Sequence, residues 1–231
     1  VLSAAKRLHE AGYQLILATH FANADDHDHP LNAMQIERFS SVLATLKDTI
    51  GPDIQGSLCN SAGIVNFPEH HYDWVRPGII LYGSSPVVDK SAQELDLQPA
   101  MDFSAQIIAL QTVSANDTIG YGSRWRAQQD TRTALVSVGY GDGYPRVVTD
   151  DAYVIVMDAN DSQSYRCPVI GRVAMDMIVI DISSAPESLA IDSKVMLWGD
   201  APRVDEVAGH AGTISYELLC RLSIRPNRTQ A

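Results

Sequence analysis

The 231 residues carry 17 Lys and Arg against 28 Asp and Glu, and the resulting formal charge of −11 argues against a broad nucleic-acid or anionic-membrane surface. A chain of this length with an ordinary hydrophobic fraction can bury a substantial core, as one large domain or two modest ones. No apolar run approaches the roughly 20 residues of a spanning helix. Three well-separated cysteines, Cys59, Cys167 and Cys220, offer no disulfide framework and fit a reducing cytoplasm.

The chain starts at Val1 with neither a start methionine nor a signal-peptide pattern, directly inside helix-like sequence, so a preceding segment is expected. Val1–Glu10 carries a short apolar stripe at Leu2, Ala5 and Leu8, closed by Gly12. Tyr13–Thr19 is a near-continuous apolar run, the pattern of a strand buried on both faces of a parallel sheet. After an acidic stretch at Ala24–Asp28, Leu31, Met34, Phe39, Leu43, Leu46 and Ile50 recur at helical spacing. Ile54–Cys59 reads as the next strand, Asn60–Phe67 as a polar turn leading into a short helix, and the region Tyr72–Gly83 as a third strand. This alternation is the rhythm of a (β/α) barrel or a doubly wound sheet.

Beyond Ser84 the rhythm changes. Val87–Pro99 is polar and loop-like, and the domain boundary is placed near residue 97. Ala105–Val113, Thr133–Val138, Tyr153–Met157, Pro168–Val173, Ile178–Ile182 and Lys194–Trp198 then read as strands between short turns, which predicts a mainly antiparallel β domain over residues 98–231. Met175–Asp176–Met177 reads as the continuation of a strand. Short helices are expected at Val204–His210 and Ile214–Leu222, the second capped by Thr213.

Polar residues stand directly after the expected strands: His20, then Asn60 and Ser61, then Arg76. In barrels and open α/β sheets, sites are built at those carboxyl ends. Ser61 with the backbone of Gly78 and Ile79 supplies hydroxyl and N–H donors, one way to hold a phosphate without lysine. Arg76 beside them is a phosphate ligand or a salt-bridge partner. Neither G-x-G-x-x-G nor G-x-x-x-x-G-K-[ST] is present. His20, Asp25, Asp26, His27, Asp28 and His29 are metal-ligand types, although such residues in an acidic loop are commonly just solvated. Cys59 has no identifiable base partner and suits a core position.

The densest motif is Gly139–Arg146, GYGDGYPR, echoed by GYG at Gly120–Gly122. Glycine and proline there exclude a helix or strand interior, so the loop displays its tyrosines, Asp142 and Arg146. Phenols on stiff backbone beside a guanidinium suit proton transfer next to an anionic small molecule; a glycine-rich hairpin with surface aromatics fits the same letters.

Together, THFANAD at Thr19–Asp25, NSAG at Asn60–Gly63, RPGIILYG at Arg76–Gly83, the two GYG motifs, GRVAMDM at Gly171–Met177 and TISYELLCRL at Thr213–Leu222 resemble the bacterial alanine racemases, in order and over nearly the whole chain. The resemblance implies the C-terminal part of a (β/α)8 barrel over residues 1–97, followed by a mainly antiparallel β domain. It implies a pyridoxal 5'-phosphate enzyme that interconverts L- and D-alanine for peptidoglycan, working as a cytoplasmic head-to-tail homodimer with sites shared between subunits. By family position Ser61, Gly78, Ile79 and Tyr216 hold the cofactor phosphate and Arg76 faces the pyridine nitrogen. Asn60 and His20 support the ring region, with His20 linking Arg76 toward Tyr121, which the other subunit supplies as the base that takes the α-proton of the L-enantiomer. Met175 and Tyr140 line the substrate pocket, and Asp25, Arg146, Arg172 and Ile214 its entrance. No metal is implied.

Racemisation removes a proton from one face and returns it to the other, so two bases must oppose each other. The family's lysine for the second face, in K-A-x-A-Y-G-H-G, is absent, and Lys6, Lys47, Lys90 and Lys194 stand in no comparable context. The expectation is that this stretch is part of a longer chain, folds poorly alone and does not racemise alanine by itself. A racemase of another amino acid, such as lysine or serine, a metal-dependent hydrolase barrel and a non-catalytic dimerisation module are the rival readings.

Overall fold

The computed structural model describes residues 2–158 and 163–230, and Val1 of the first expected helix lies outside them. The chain divides into two compact units, residues 1–98 and 99–231.

The first unit is α/β. Helix α1 (Leu2–Glu10) ends at Gly12, whose φ of 84° is a left-handed conformation that glycine adopts without a steric cost. Strands β1 (Ile16–Ala18) and β2 (Gln55–Ser57) pair in parallel, with Leu17 opposite Gly56. Between them runs α2 (Pro30–Thr49), which opens on Pro30 and is capped by His29, whose Nδ1 accepts from Leu31 N at 3.3 Å. Its apolar stripe places Phe39, Leu43 and Leu46 in a core shared with Ile54, Leu58, Phe21 and Phe67. The rings of Phe21 and Phe67 stack at 5.2 Å. Helix α3 (Ser61–Asn66) follows β2, with Asn60 Oδ1 accepting from Gly63 N.

The third strand expected in Tyr72–Gly83 is not formed. Asp73 N and Trp74 N both donate to Gly56 O, and Arg76 N donates to Cys59 O, so the segment lies beside β2 without a ladder. Pro77 has no N–H to offer and Gly78 adopts φ −126°, ψ −92°, after which Ile79–Tyr82 coils into a 3-10 turn closed by left-handed Gly83. A short apolar run bounded by glycines does not reveal its own period.

The second unit is a closed antiparallel barrel. Its strands are β3 (Phe103–Val113), β6 (Thr131–Val136), β7 (Tyr153–Met157), β8 (Ser164–Ile170), β9 (Ile178–Asp181) and β10 (Lys194–Trp198), neighbouring in the order β10-β3-β6-β9-β8-β7 and closing β7 onto β10. Alternate side chains point inward: Ile107, Val136, Val154, Val156, Cys167, Ile180 and Val195 are all fully buried. The register shifts between Ile107 and Ala109 and between Met196 and Trp198, irregularities of the kind that let a small sheet bend round on itself. A small hairpin of β4 (Thr118–Ile119) and β5 (Trp125–Arg126), not anticipated from the sequence, hangs between β3 and β6.

Helices α4 (Val204–Ala211) and α5 (Ser215–Arg221) finish the unit. Glu206 accepts from Arg203 N at the start of α4 and from the Tyr153 hydroxyl at 2.6 Å. The N-cap of α5 is Ile214 and not Thr213, whose hydroxyl instead bonds Glu217 one turn along. Met175–Asp176–Met177 is a loop rather than a strand, because β9 begins only at Ile178. The family expectation of a barrel-type α/β part followed by a mainly antiparallel β domain is what the chain adopts.

Candidate active site

In the first unit, β1 and β2 run in parallel and so deliver their carboxyl ends to the same edge. His20 follows β1, Asn60 and Ser61 follow β2, and Asn60 Nδ2 lies 3.4 Å from His20 Nε2. Arg76 is tied into that edge from several sides. Its Nη1 donates to Ser57 O at 3.0 Å and to the Ser57 hydroxyl, and its Nη2 donates to Thr19 O and to Leu58 O at 3.3 Å. Every one of these acceptors is neutral, and among the described residues no carboxylate pairs with Arg76. The guanidinium is therefore fixed in direction by the bonds of its two Nη atoms. Arg76 and His20 share this edge without a hydrogen bond between them. Ser57 and Thr19, which hold the arginine, were not anticipated; a serine inside an apolar strand was the available signal.

Next to Arg76, the buried Ser61 Oγ accepts from Gly78 N at 2.7 Å. A Cβ at Gly78 would meet only that oxygen, at 3.6 Å, so the site has room against the backbone. Ile79 opens the 3-10 turn, and the first amides of a helix lack partners within it. The Ser61 hydroxyl and the Ile79 amide, near the Arg76 guanidinium, form a donor set suited to a phosphate and a ring nitrogen.

The acidic loop has local tasks. His29 caps α2, His27 pairs with Asp28 at 2.8 Å and stacks on Phe67, and the buried Asn32 amide ties the loop through Asn23 O and Asp26 O. Asp25 is exposed there, accepting from Val88 N through its carbonyl. Among the described residues no three of His, Cys, Asp and Glu come together as a metal-binding group. Cys59 is fully buried with its Sγ 3.3 Å from His70 O, and burial pushes its thiol up to about 11.

In the second unit, three loops converge. Tyr121 starts a turn between β4 and β5, is 73% exposed, and is flanked by Gly120 and Gly122, with φ of 75° and 72°. Both glycines abut Arg172: a Cβ at Gly120 would lie 3.3 Å from its backbone N, and one at Gly122 would lie 3.5 Å from its guanidinium carbon. Arg172 belongs to Gly171–Met177, and that loop is stitched in turn to Gly139–Arg146. Tyr140 N donates to Ala174 O at 3.1 Å, and Gly141 N to Met175 O at 2.9 Å. Tyr121, Arg172, Met175 and Tyr140 thus occupy one continuous, solvent-facing group of loops. Tyr144, read as displayed, is 1% exposed and sits in the barrel core, where burial raises its phenol pKa. Arg146 is exposed further along its loop, and Ile214 and Tyr216, also exposed, stand at the start of α5.

Family profiles match across both units. Residues 1–86 match the alanine racemase N-terminal domain, and residues 100–230 match the alanine racemase C-terminal domain. The chain belongs to the alanine racemase family. It is 54% identical over 228 residues to the alanine racemase of Psychrobacter sp. (strain PRwf-1), covering 97% of this chain and 61% of that one. To the biosynthetic alanine racemase of Pseudomonas aeruginosa it is 43% identical, with 96% and 58% covered. Among solved structures, the alanine racemase from Acinetobacter baumannii superposes with a TM-score of 0.85 at 48% identity, over 97% of this chain and 59% of that one. The alanine racemase from Bartonella henselae with covalently bound pyridoxal phosphate gives a TM-score of 0.79 at 26% identity, over 98% and 61%. The chain thus spans about three-fifths of the length of the alanine racemases it matches.

Proposed function

We propose that this chain carries most of the working residues of a pyridoxal 5'-phosphate-dependent racemase that interconverts L- and D-alanine. The observation that carries this reading is Arg76, a cation held by neutral acceptors alone at the carboxyl ends of two parallel strands, beside Ser61 and the Gly78 amide. Family membership supports the choice of cofactor and substrate.

When bound, pyridoxal phosphate supplies the electron sink that makes an amino acid's α-proton removable. Ser61 and the Ile79 amide would hold its phosphate, joined by the Gly78 amide once that N–H leaves Ser61 Oγ, and Tyr216 keeps that role on family position. Arg76 would face the ring nitrogen. An arginine there does not hand over its proton, so the sink stays weak and side reactions are held back. Asn60 and His20 steady the ring edge. Tyr121, supplied by the other protomer, would take the α-proton of the L-enantiomer, presented on its stiff glycine-flanked turn, with the Arg172 cation packed on the adjoining Gly122. Tyr140 and Met175 bound the substrate side chain, while Asp25, Arg146, Arg172 and Ile214 guard the approach. The working form is a cytoplasmic homodimer with sites shared between protomers, residues 1–97 serving the cofactor, and its D-alanine goes to peptidoglycan.

The test is D-alanine formation from L-alanine by the full product of the gene that encodes this chain, with pyridoxal phosphate added. Turnover that falls at least about 100-fold in Tyr121→Phe is expected, in line with loss of a positioned base. Residues 1–231 alone, lacking the family's lysine motif, are expected to give no turnover. A full product that binds the cofactor yet leaves alanine untouched would reject the substrate assignment, and one that fails to bind the cofactor would reject the whole reading.

A further inference from the structure

Arg225 lies beyond α5 and outside every motif that marks the site. Its Nε reaches Asp142 Oδ1 at 3.2 Å, and its Nη2 donates to Asp176 Oδ1 at 2.7 Å. Asp142 belongs to the loop that displays Tyr140, and Asp176 directly follows Met175. One guanidinium therefore spans the two loops that carry Tyr140 and Met175, the residues read on family position as lining the substrate pocket.

The surroundings make this a built junction rather than a chance surface pair. Asp142 uses its other oxygen, Oδ2, to accept from Gly139 N at 2.9 Å, closing its own loop, and its side chain is only 13% exposed. Its carbonyl accepts from Ser223 N at 3.1 Å, and Ser223 Oγ accepts from Arg225 N at 3.1 Å. Leu222 runs so close beneath the loop that a Cβ at Gly143, where φ is 115°, would lie 2.8 Å from its Cα. The post-helical segment is thus stitched to one loop and sends its charged end across to the other. Without the cation, two carboxylates on adjoining loops would be left to repel each other.

Arg225 contributes little to the core. Its side chain is 47% exposed, and the two loops are already joined by the Tyr140 N–Ala174 O and Gly141 N–Met175 O bonds. What a planar two-carboxylate fork adds is the angle between the loops, because a guanidinium fixes direction as well as distance. We propose that Arg225 is a positioning residue: it sets the separation of Tyr140 and Met175 and so how tightly the site fits the side chain of its amino-acid substrate. The inference rests on the racemase reading for its substrate and on this loop geometry for its residue.

The test uses the full-length enzyme with Arg225→Gln, which removes the charge, and Arg225→Lys, which keeps the charge without the fork. In Arg225→Gln, KM for L-alanine is expected to rise about three- to tenfold while kcat changes less than about twofold, the pattern of lost uniform binding. Relative kcat/KM for L-serine over L-alanine should increase, and Arg225→Lys should fall between the two. Hydrogen exchange at the Tyr140 and Gly141 amides should quicken in Arg225→Gln, with the melting temperature little changed. Unchanged KM, selectivity and exchange would overturn the proposal, as would a lowered melting temperature with kinetics intact. If the unsubstituted enzyme does not racemise alanine, the racemase reading fails, and the exchange rates alone then decide the loop clamp: no acceleration in Arg225→Gln refutes it.

Discussion

Gly139→Ala is the sharpest perturbation of the loop stitch. A Cβ at that position would lie closer than 3.0 Å to the backbone of Ala174 and Met175, a separation that real Cβ atoms essentially never show. The obstacle is backbone rather than the end of a pliable side chain, so the two loops must part. Overpacking of this kind costs about 1–3 kcal/mol. The two stitching bonds, Tyr140 N–Ala174 O at 3.1 Å and Gly141 N–Met175 O at 2.9 Å, lengthen with it, at about 1 kcal/mol each. A total of about 3–5 kcal/mol corresponds to a melting temperature lower by roughly 10–20 °C for a unit of this size. Tyr140 and Met175 move with their loops, and misplacing a positioning group by about 1 Å can cost on the order of 100-fold in rate. Thermal unfolding and alanine racemisation kinetics of the full-length variant measure the two effects separately. A variant that melts within about 1 °C of the parent and keeps its kcat/KM would show that the stitch neither stabilises nor positions.

Two further predictions rest on buried titratable groups. Cys59 is fully buried with its thiol pushed up to about 11, and Cys167 likewise with its thiol up to about 12, whereas Cys220 is exposed. Alkylation of the native protein at pH 8 should therefore mark Cys220 alone; peptide mapping that finds Cys59 modified at a comparable rate would contradict the burial. Burial, then the hydrogen bond to Glu206, pushes the Tyr153 phenol up to about 12, and Tyr144 is raised by burial alone. Their folded pKa values exceed the unfolded value near 10, so the native state favours the protonated phenols. That stabilisation is complete below about pH 10 and is lost as pH rises toward 12. Denaturant midpoints measured from pH 8 to 11 should fall above pH 10, less steeply in Tyr153→Phe, and an identical slope in that variant would remove Tyr153 as a cause.

Much of the second unit was legible because its strands obey one physical rule. Tyr153–Met157 and Lys194–Trp198 match the expected bounds to the residue, since each is a short β-branched or apolar run between turn residues. Other features depend on partners distant in sequence. Tyr144 shares its loop with Tyr140 yet lies inside the barrel, and spacing within a glycine-rich loop cannot sort inward from outward. Thr213 has the chemistry of a cap but finds Glu217 first. In the candidate site the motifs carried Arg76, Tyr121 and Met175. Ser57 and Thr19, which hold Arg76, and Arg225, which bridges the loops of Asp142 and Asp176, act through carbonyls and loop crossings that leave no periodic trace.

The closure of the barrel has a consequence for how such a site can vary. In an open sheet an outer strand can slip by two residues and carry its adjoining loop with it. Here β6, β9 and β8, which bear the Tyr140 and Met175 loops, are each paired on both sides within a ring. A slip in one would have to be matched by all six, and a slip of a single residue would turn every inward side chain outward. The loop anchor points are thus locked to the register of the whole ring. Changes in loop sequence can alter shape and charge at the tips while the bases stay where they are, so the loops can be exchanged like tools on a fixed mount.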